Sequence, residues 1–133
     1  MPANASTRID VKVARALVES DGRVLLVRRA AWDSLPGLWE LPGGKVDRGE
    51  PVLEALAREL EEETGLMLAG ARHLSTRHMI SPRGRRVREQ VYVTTAIGAV
   101  TLSAEHDAFA WVDSPEVLEL TDSAAAALFS LAS

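Results

Sequence analysis

Glu59, Glu61, Glu62 and Glu63 crowd four carboxylates into five residues of a segment with helical periodicity. Like charges at i,i+4, such as Glu59 and Glu63, destabilise a helix by about 0.2–0.5 kcal/mol per pair, so another interaction has to favour them. On a helix Glu59, Glu62 and Glu63 share one face, beside an apolar stripe of Leu53, Leu56, Ala57 and Leu60, while Glu61 points to solvent. Carboxylates converging beside a core-facing edge do not all stay ionised without a compensating cation. The chain has no cysteine, so thiolate zinc sites and thiol nucleophiles are excluded and oxygen ligation remains. Oxygen ligands suit Mg2+, with Mn2+ as an alternative, and Mg2+ bridges to substrate phosphates while keeping several waters. The ligand type thus points to phosphate chemistry. Taken alone, the same glutamates also fit a solvated helix face.

The residues before the helix decide between those readings. Pro42-Gly43-Gly44 allows the backbone to approach a ligand closely, because glycine carries no side chain, and the Gly43 carbonyl could complete a metal shell. Pro51 opens the helix and Gly65 closes it after Thr64. Glu50 stands at the positive end of the helix dipole, and its pairing with Arg58, two turns on, would brace the loop against the helix.

From Gly44 through Glu50 to Arg58-Glu59-Leu60-Glu61-Glu62-Glu63-Thr64-Gly65-Leu66, the spacing resembles the complete Nudix box, G-x5-E-x7-R-E-U-x-E-E-x-G-U, over residues 44–66. The resemblance implies an α/β (α+β) fold, an α/β/α sandwich with a mixed sheet between helices, and hydrolysis of a nucleoside diphosphate linked to another moiety. It further implies that Glu59, Glu62 and Glu63 bind metal with the Gly43 carbonyl, that Arg58 orients a glutamate, and that an acid from a later loop acts as ligand or base. Glu105 is the best candidate for that acid. We expect Glu59 to accept the proton of the attacking water, with exchange of roles between Glu59 and Glu105 open. Gly44, Glu50 and Gly65 are structural members of the motif. A (d)NTP, ordinary or oxidised, is the expected substrate. Dinucleoside polyphosphates and nucleotide sugars are alternatives, and a non-catalytic nucleotide-binding regulatory module is a reading of another class. A homodimer is a further expectation from the family.

Other residues carry weaker signals. Arg28 and Arg29 leave a strand near the glycine loop and are candidates for substrate contact, as is Trp32, where a base could stack; Trp39 reads as packing under the loop. Asp122 reads as a helix N-cap that could also reach a bound base. Arg83 to Arg88 reads as a solvated hairpin tip, with phosphate clamping as the alternative. His78 and His106 are imidazoles that could serve in acid–base work but are surplus to a glutamate-based site.

The elements that must position these groups follow from pattern. Ile9–Glu19 and Val24–Val27 read as strands joined at Asp21-Gly22, a strong hairpin signal. Residues 30–44 read as a structured loop with at most a short strand. Ala71–Ile80 and Val87–Ile97 read as strands joined by Ser81-Pro82-Arg83-Gly84, Phe109–Val112 as another, and the end as a Pro115 turn and a helix from about Asp122. With 133 residues, 47% hydrophobic and 26% charged, one globular domain is expected, with residues 1–8 as a flexible tail. A net charge of −4 argues against tracking a nucleic-acid polymer. No apolar run suggests a signal peptide or membrane span, so a cytoplasmic location is the default expectation.

Overall fold

The computed structural model describes residues 8–133, the side chain of Glu116 excepted; the tail expected at 1–8 lies, apart from Arg8, outside the described residues. Strands β1 (Val11–Ser20) and β2 (Arg23–Arg29) form the expected hairpin. Asp21 and Gly22 both take positive φ, 51° and 76°, the turn whose twist matches that of the flanking strands. Two short strands follow, β3 (Trp39–Glu40) and β4 (Gly43–Lys45), then helix α1 (Val52–Thr64) and strands β5 (Met67–Ile80), β6 (Arg86–Ile97) and β7 (His106–Val112). A 3-10 turn (Pro115–Val117) and helix α2 (Asp122–Ala132) end the chain. The sheet runs β3-β2-β1-β6-β5, with β4 also paired to β1 and β7 to β2. β1 and β6 are parallel, from Val11 beside Val87 to Val18 beside Thr94, and the other pairs are antiparallel. The mixed sheet expected from the sequence is therefore present.

Alternation along β1 splits the core in two. Ala14, Ala16 and Val18 face Leu56 and Leu60 of α1, with Leu25, Leu66 and Tyr92 in the same cluster. Leu17 points the other way, with Val24, Leu26, Leu41 and Val91, against Ala124 and Ala127 of α2. Each face is apolar because each carries a helix, which makes the architecture a sandwich. Among the described residues no helix is long and apolar enough to cross a membrane.

Several expectations need correction. The apolar stripe of α1 is not Leu53, Leu56, Ala57 and Leu60: Leu53 is 45% exposed and Ala57 only half-buried, while Ala55, Leu56, Leu60 and Glu63 are buried. The helix is rolled so that its carboxylate edge packs inward and leaves Leu53 on the opposite rim. Loop 30–44 contains two short strands, because Trp39 and Glu40 pair with β2 and residues 43–45 with β1. β5 begins at Met67, ahead of the expected Ala71; register shifts between Leu68 and Gly70 and between His73 and Ser75 break the alternation that would betray it. β7 begins at His106 because it continues past an irregularity at Arg28/Arg29. The cap of α2 is Thr121, whose side chain accepts from the Ala124 N–H; Asp122 is the first residue of the helix.

Leu60 is wholly buried between α1 and the sheet. Leu60→Ala should destabilise the protein by about 2–5 kcal/mol, read as a lower urea midpoint with an unchanged slope.

Candidate active site

The C-terminal half of α1 sits on the glycine corner of β4. The Gly43 N–H donates to Glu63 Oε1 at 3.1 Å. A Cβ at Gly43 would lie 2.2 Å from the Ala14 carbonyl oxygen of β1, and one at Gly44 would lie 2.5–2.8 Å from the carboxylate atoms of Glu59. Gly43 is thus required by strand pairing and Gly44 by the seat of Glu59. Glu63 is buried, at 4% exposure. That burial pushes its carboxyl up to about 9, helped by the negative charge of Glu105 and opposed by the Gly43 N–H.

Arg58 organises the outer side of the cluster. Its Nε and Nη2 donate to the two oxygens of Glu50 at 3.0 Å each, its Nη1 to Glu59 Oε1 at 3.0 Å, and its Nη2 to the Lys45 carbonyl at 3.1 Å. Glu62, mostly exposed, is 3.5 Å from Nη1. The fork on Glu50, with the Asp47 N–H, holds that carboxyl down to about 2, so the brace stays ionised across the working pH range. Loop 45–50 is tied to the helix as the sequence suggested.

A second wall comes from residues distant in sequence. The Thr101 and Ser103 N–H groups donate to the Thr64 and Glu63 carbonyls at the end of α1, and the Ala30 N–H donates to the Glu105 carbonyl. These bonds bring Glu105 to Glu63. A ligand atom from each of Glu63, Glu105 and His106 lies within 4.8 Å of the others. His106 is buried at the start of β7, and its Nε2 lies 2.7 Å from Glu40 Oε2. Burial alone would raise Glu40, but the bond to His106 and the charges of Arg15 and Arg29 outweigh it and hold the carboxyl below its ordinary range.

The remaining candidates are distributed unevenly around this centre. Arg29 is turned inward to Asp33 and Glu40. Arg28 is half-exposed, bonded to Asp107 at 2.7 Å and stacked 5.7 Å from the Trp39 ring centroid. Trp32 is 69% exposed, and its indole N–H donates to the Ala104 carbonyl, next to Glu105. Asp122 is exposed on α2. His78 lines a separate cavity of about 450 Å³ with Arg8, Arg86 and Arg88. Glu40, Arg15 and Glu89 also belong to this surround, although no motif in the sequence assigns them a role. Glu89 is buried, with Arg15 at 3.3 Å, Arg77 at 3.4 Å and Ser123 as partners. The one available signal was an ionisable residue inside an apolar run, as in Trp39-Glu40-Leu41.

Residues 8–131 match the NUDIX domain family. CTP pyrophosphohydrolase of Escherichia coli (strain K12) is 32% identical over 109 residues, covering 82% of this chain and 80% of that protein. Nucleoside triphosphatase NudI of Klebsiella pneumoniae (strain 342) is 34% identical over 116 residues, covering 76% and 80%. The crystal structure of a MutT NUDIX hydrolase from Burkholderia pseudomallei superposes with a TM-score of 0.81 at 32% identity, covering 91% of this chain and 97% of that one. Other relatives are longer, and the chain spans 32%, 24% and 21% of three of them. The chain belongs to the Nudix family. It is a hydrolase of that class.

Glu63 has an ordinary carboxyl value of 4.5 and a folded value of about 9, so between those pH values the native state binds more protons than the unfolded chain. Stability in a chelator should therefore fall as pH rises from about 4.5 to about 9. Thermal melts across that range should show this slope, and Glu63→Gln should flatten it; equal slopes would refute the assignment.

Proposed function

We propose that the chain is a divalent-cation-dependent pyrophosphohydrolase that cleaves a phosphoanhydride bond of a (d)NTP, oxidised nucleotides included, with Mg2+ as the ion and Mn2+ as a substitute. The carrying observation is the seating of Glu59 and Glu63 against Gly44 and Gly43, which fixes two carboxylates at one corner.

The residues present fit such an ion. The donors at the corner are carboxylates and the Gly43 carbonyl, hard oxygen ligands suited to a hard cation. Glu63 is held as a weak acid by burial, and a divalent ion beside it favours its ionised form. When bound, the ion neutralises phosphoryl oxygens and acidifies a water. Glu62 and Glu63 are assigned to hold it, with Gly43. Glu59 is oriented by Arg58, itself locked by Glu50, and is assigned to accept the proton of the water that attacks phosphorus; the phosphoanhydride oxygen leaves with the other product. Glu105, on the opposite wall, is the alternative acceptor or a further ligand.

Arg28 and Trp32 are assigned to the substrate side because both are exposed beside the Glu105 loop. Asp122, exposed at the start of α2, is a further assigned contact. Arg29 serves to position Glu40. The names of the two relatives, a CTP pyrophosphohydrolase and a nucleoside triphosphatase, support triphosphates over dinucleoside polyphosphates and nucleotide sugars. A non-catalytic nucleotide-binding module has less need of the complete glutamate set.

Incubation with Mg2+ and a panel of ordinary and oxidised nucleoside triphosphates, dinucleoside polyphosphates and nucleotide sugars should give turnover of a triphosphate, abolished by Glu62→Gln. No turnover of any member, with Glu62→Gln indistinguishable, would overturn the proposal. Glu59→Gln should lower kcat by about 10²–10⁴. If Glu105→Gln does so instead, the two glutamates exchange roles.

A further inference from the structure

His106 is 3% exposed at its side chain, and its two ring nitrogens have different surroundings. Nε2 lies 2.7 Å from Glu40 Oε2. The Glu40 carboxylate is kept ionised by Arg29 at 2.9 Å and Arg15 at 3.7 Å, so it can only accept, and Nε2–H must donate. Nδ1 is buried with no hydrogen-bond partner among the described residues. In the neutral imidazole that nitrogen carries a lone pair. A ring nitrogen of His106 lies within 4.8 Å of carboxylate oxygens of both Glu63 and Glu105, and Nδ1 is the one left uncommitted.

Two carboxyl groups and a ring nitrogen of His106 therefore converge. A divalent cation among them would hold both carboxyls ionised and take up the imidazole lone pair. A carboxylate fixing the far nitrogen of a histidine is the recurrent arrangement behind metal-bound imidazole, because it sets the tautomer and makes the near nitrogen more basic.

We propose that His106 Nδ1, oriented by Glu40, is a nitrogen ligand to the divalent cation at Glu63, on the side that Glu105 faces. This rests on the cation-dependent reading above and adds that the ion's shell is mixed nitrogen and oxygen. An imidazole ligand suits first-row transition ions, rising from Mn2+ to Co2+, where Mg2+ prefers oxygen, so the site binds Co2+ most tightly, then Mn2+, then Mg2+. Glu40 is a positioning residue: it acts through the imidazole.

The test uses the full chain loaded with Mn2+ and read by electron spin echo envelope modulation, which detects nitrogen bonded to the ion. To avoid disturbing His106, the other two histidines, His73 and His78, both exposed, are replaced by glutamine. His106 is then the one histidine in the chain and is labelled with 15N. The expected result is a 14N coupling that changes to the 15N pattern on labelling and is lost in His106→Gln. Glu40→Gln should weaken Mn2+ binding by about 10–100-fold with a smaller effect on Mg2+. An imidazolium that merely donates from Nδ1 to Glu63 gives no coupling, and Mn2+ bound without nitrogen modulation would overturn this inference while leaving the proposed function intact. Failure of Mn2+ to bind at all would overturn both.

Discussion

The contact between the end of α1 and the glycine corner is the constraint on which the rest of the site depends. Glu63 is removed from water at a point where burial of an ionised carboxylate is costly, and the Gly43 N–H offsets only part of that cost. A stability-driven sequence would place an apolar residue there. Under the proposed function the charge of Glu63 is answered by a cation, and the rolled helix, the two glycines and the small residues Ala14 and Ala16 of β1 accommodate it.

Arg58 and Glu40 then do similar work on opposite sides. Arg58 collects Glu50, Glu59 and Glu62 and ties the loop before α1 to the helix, so that Glu59 cannot swing away from Gly44. Glu40 collects Arg15, Arg29 and His106 and ties β1, β2 and β7 together beneath the site. Each hub contains both signs of charge. Buried or half-buried ions are tolerated there because each has a partner with good geometry.

The two halves of the centre are joined by backbone rather than by side chains. Thr64 and Glu63 give the last carbonyls of α1 to the N–H groups of Thr101 and Ser103, which satisfies the open end of the helix. The same bonds deliver Glu105 to the corner. Helix termination and assembly of the site are one event in this fold.

The sequence determined the local parts. The box spacing fixed which glutamates share a helix face, Asp21-Gly22 fixed the hairpin, the glycines at 43, 44 and 65 fixed where the backbone bends or is approached, and Glu50 with Arg58 was legible as a brace because both lie on one loop and helix. These are interactions between residues near in the chain, and local periodicity reports them. Tertiary structure alone decided how α1 is rolled, which buried Glu63 and exposed Leu53; that Thr121 and not Asp122 caps α2; that Arg29 faces inward while Arg28 does not; and that Glu40, His106 and Glu105 meet Glu63. The reason is physical: apart from the local Thr121 cap, those outcomes depend on burial and on partners distant in the chain, such as Glu40 for His106, 66 residues away, and no spacing rule carries the free energy of a charge that becomes tolerable only when a distant strand arrives beside it.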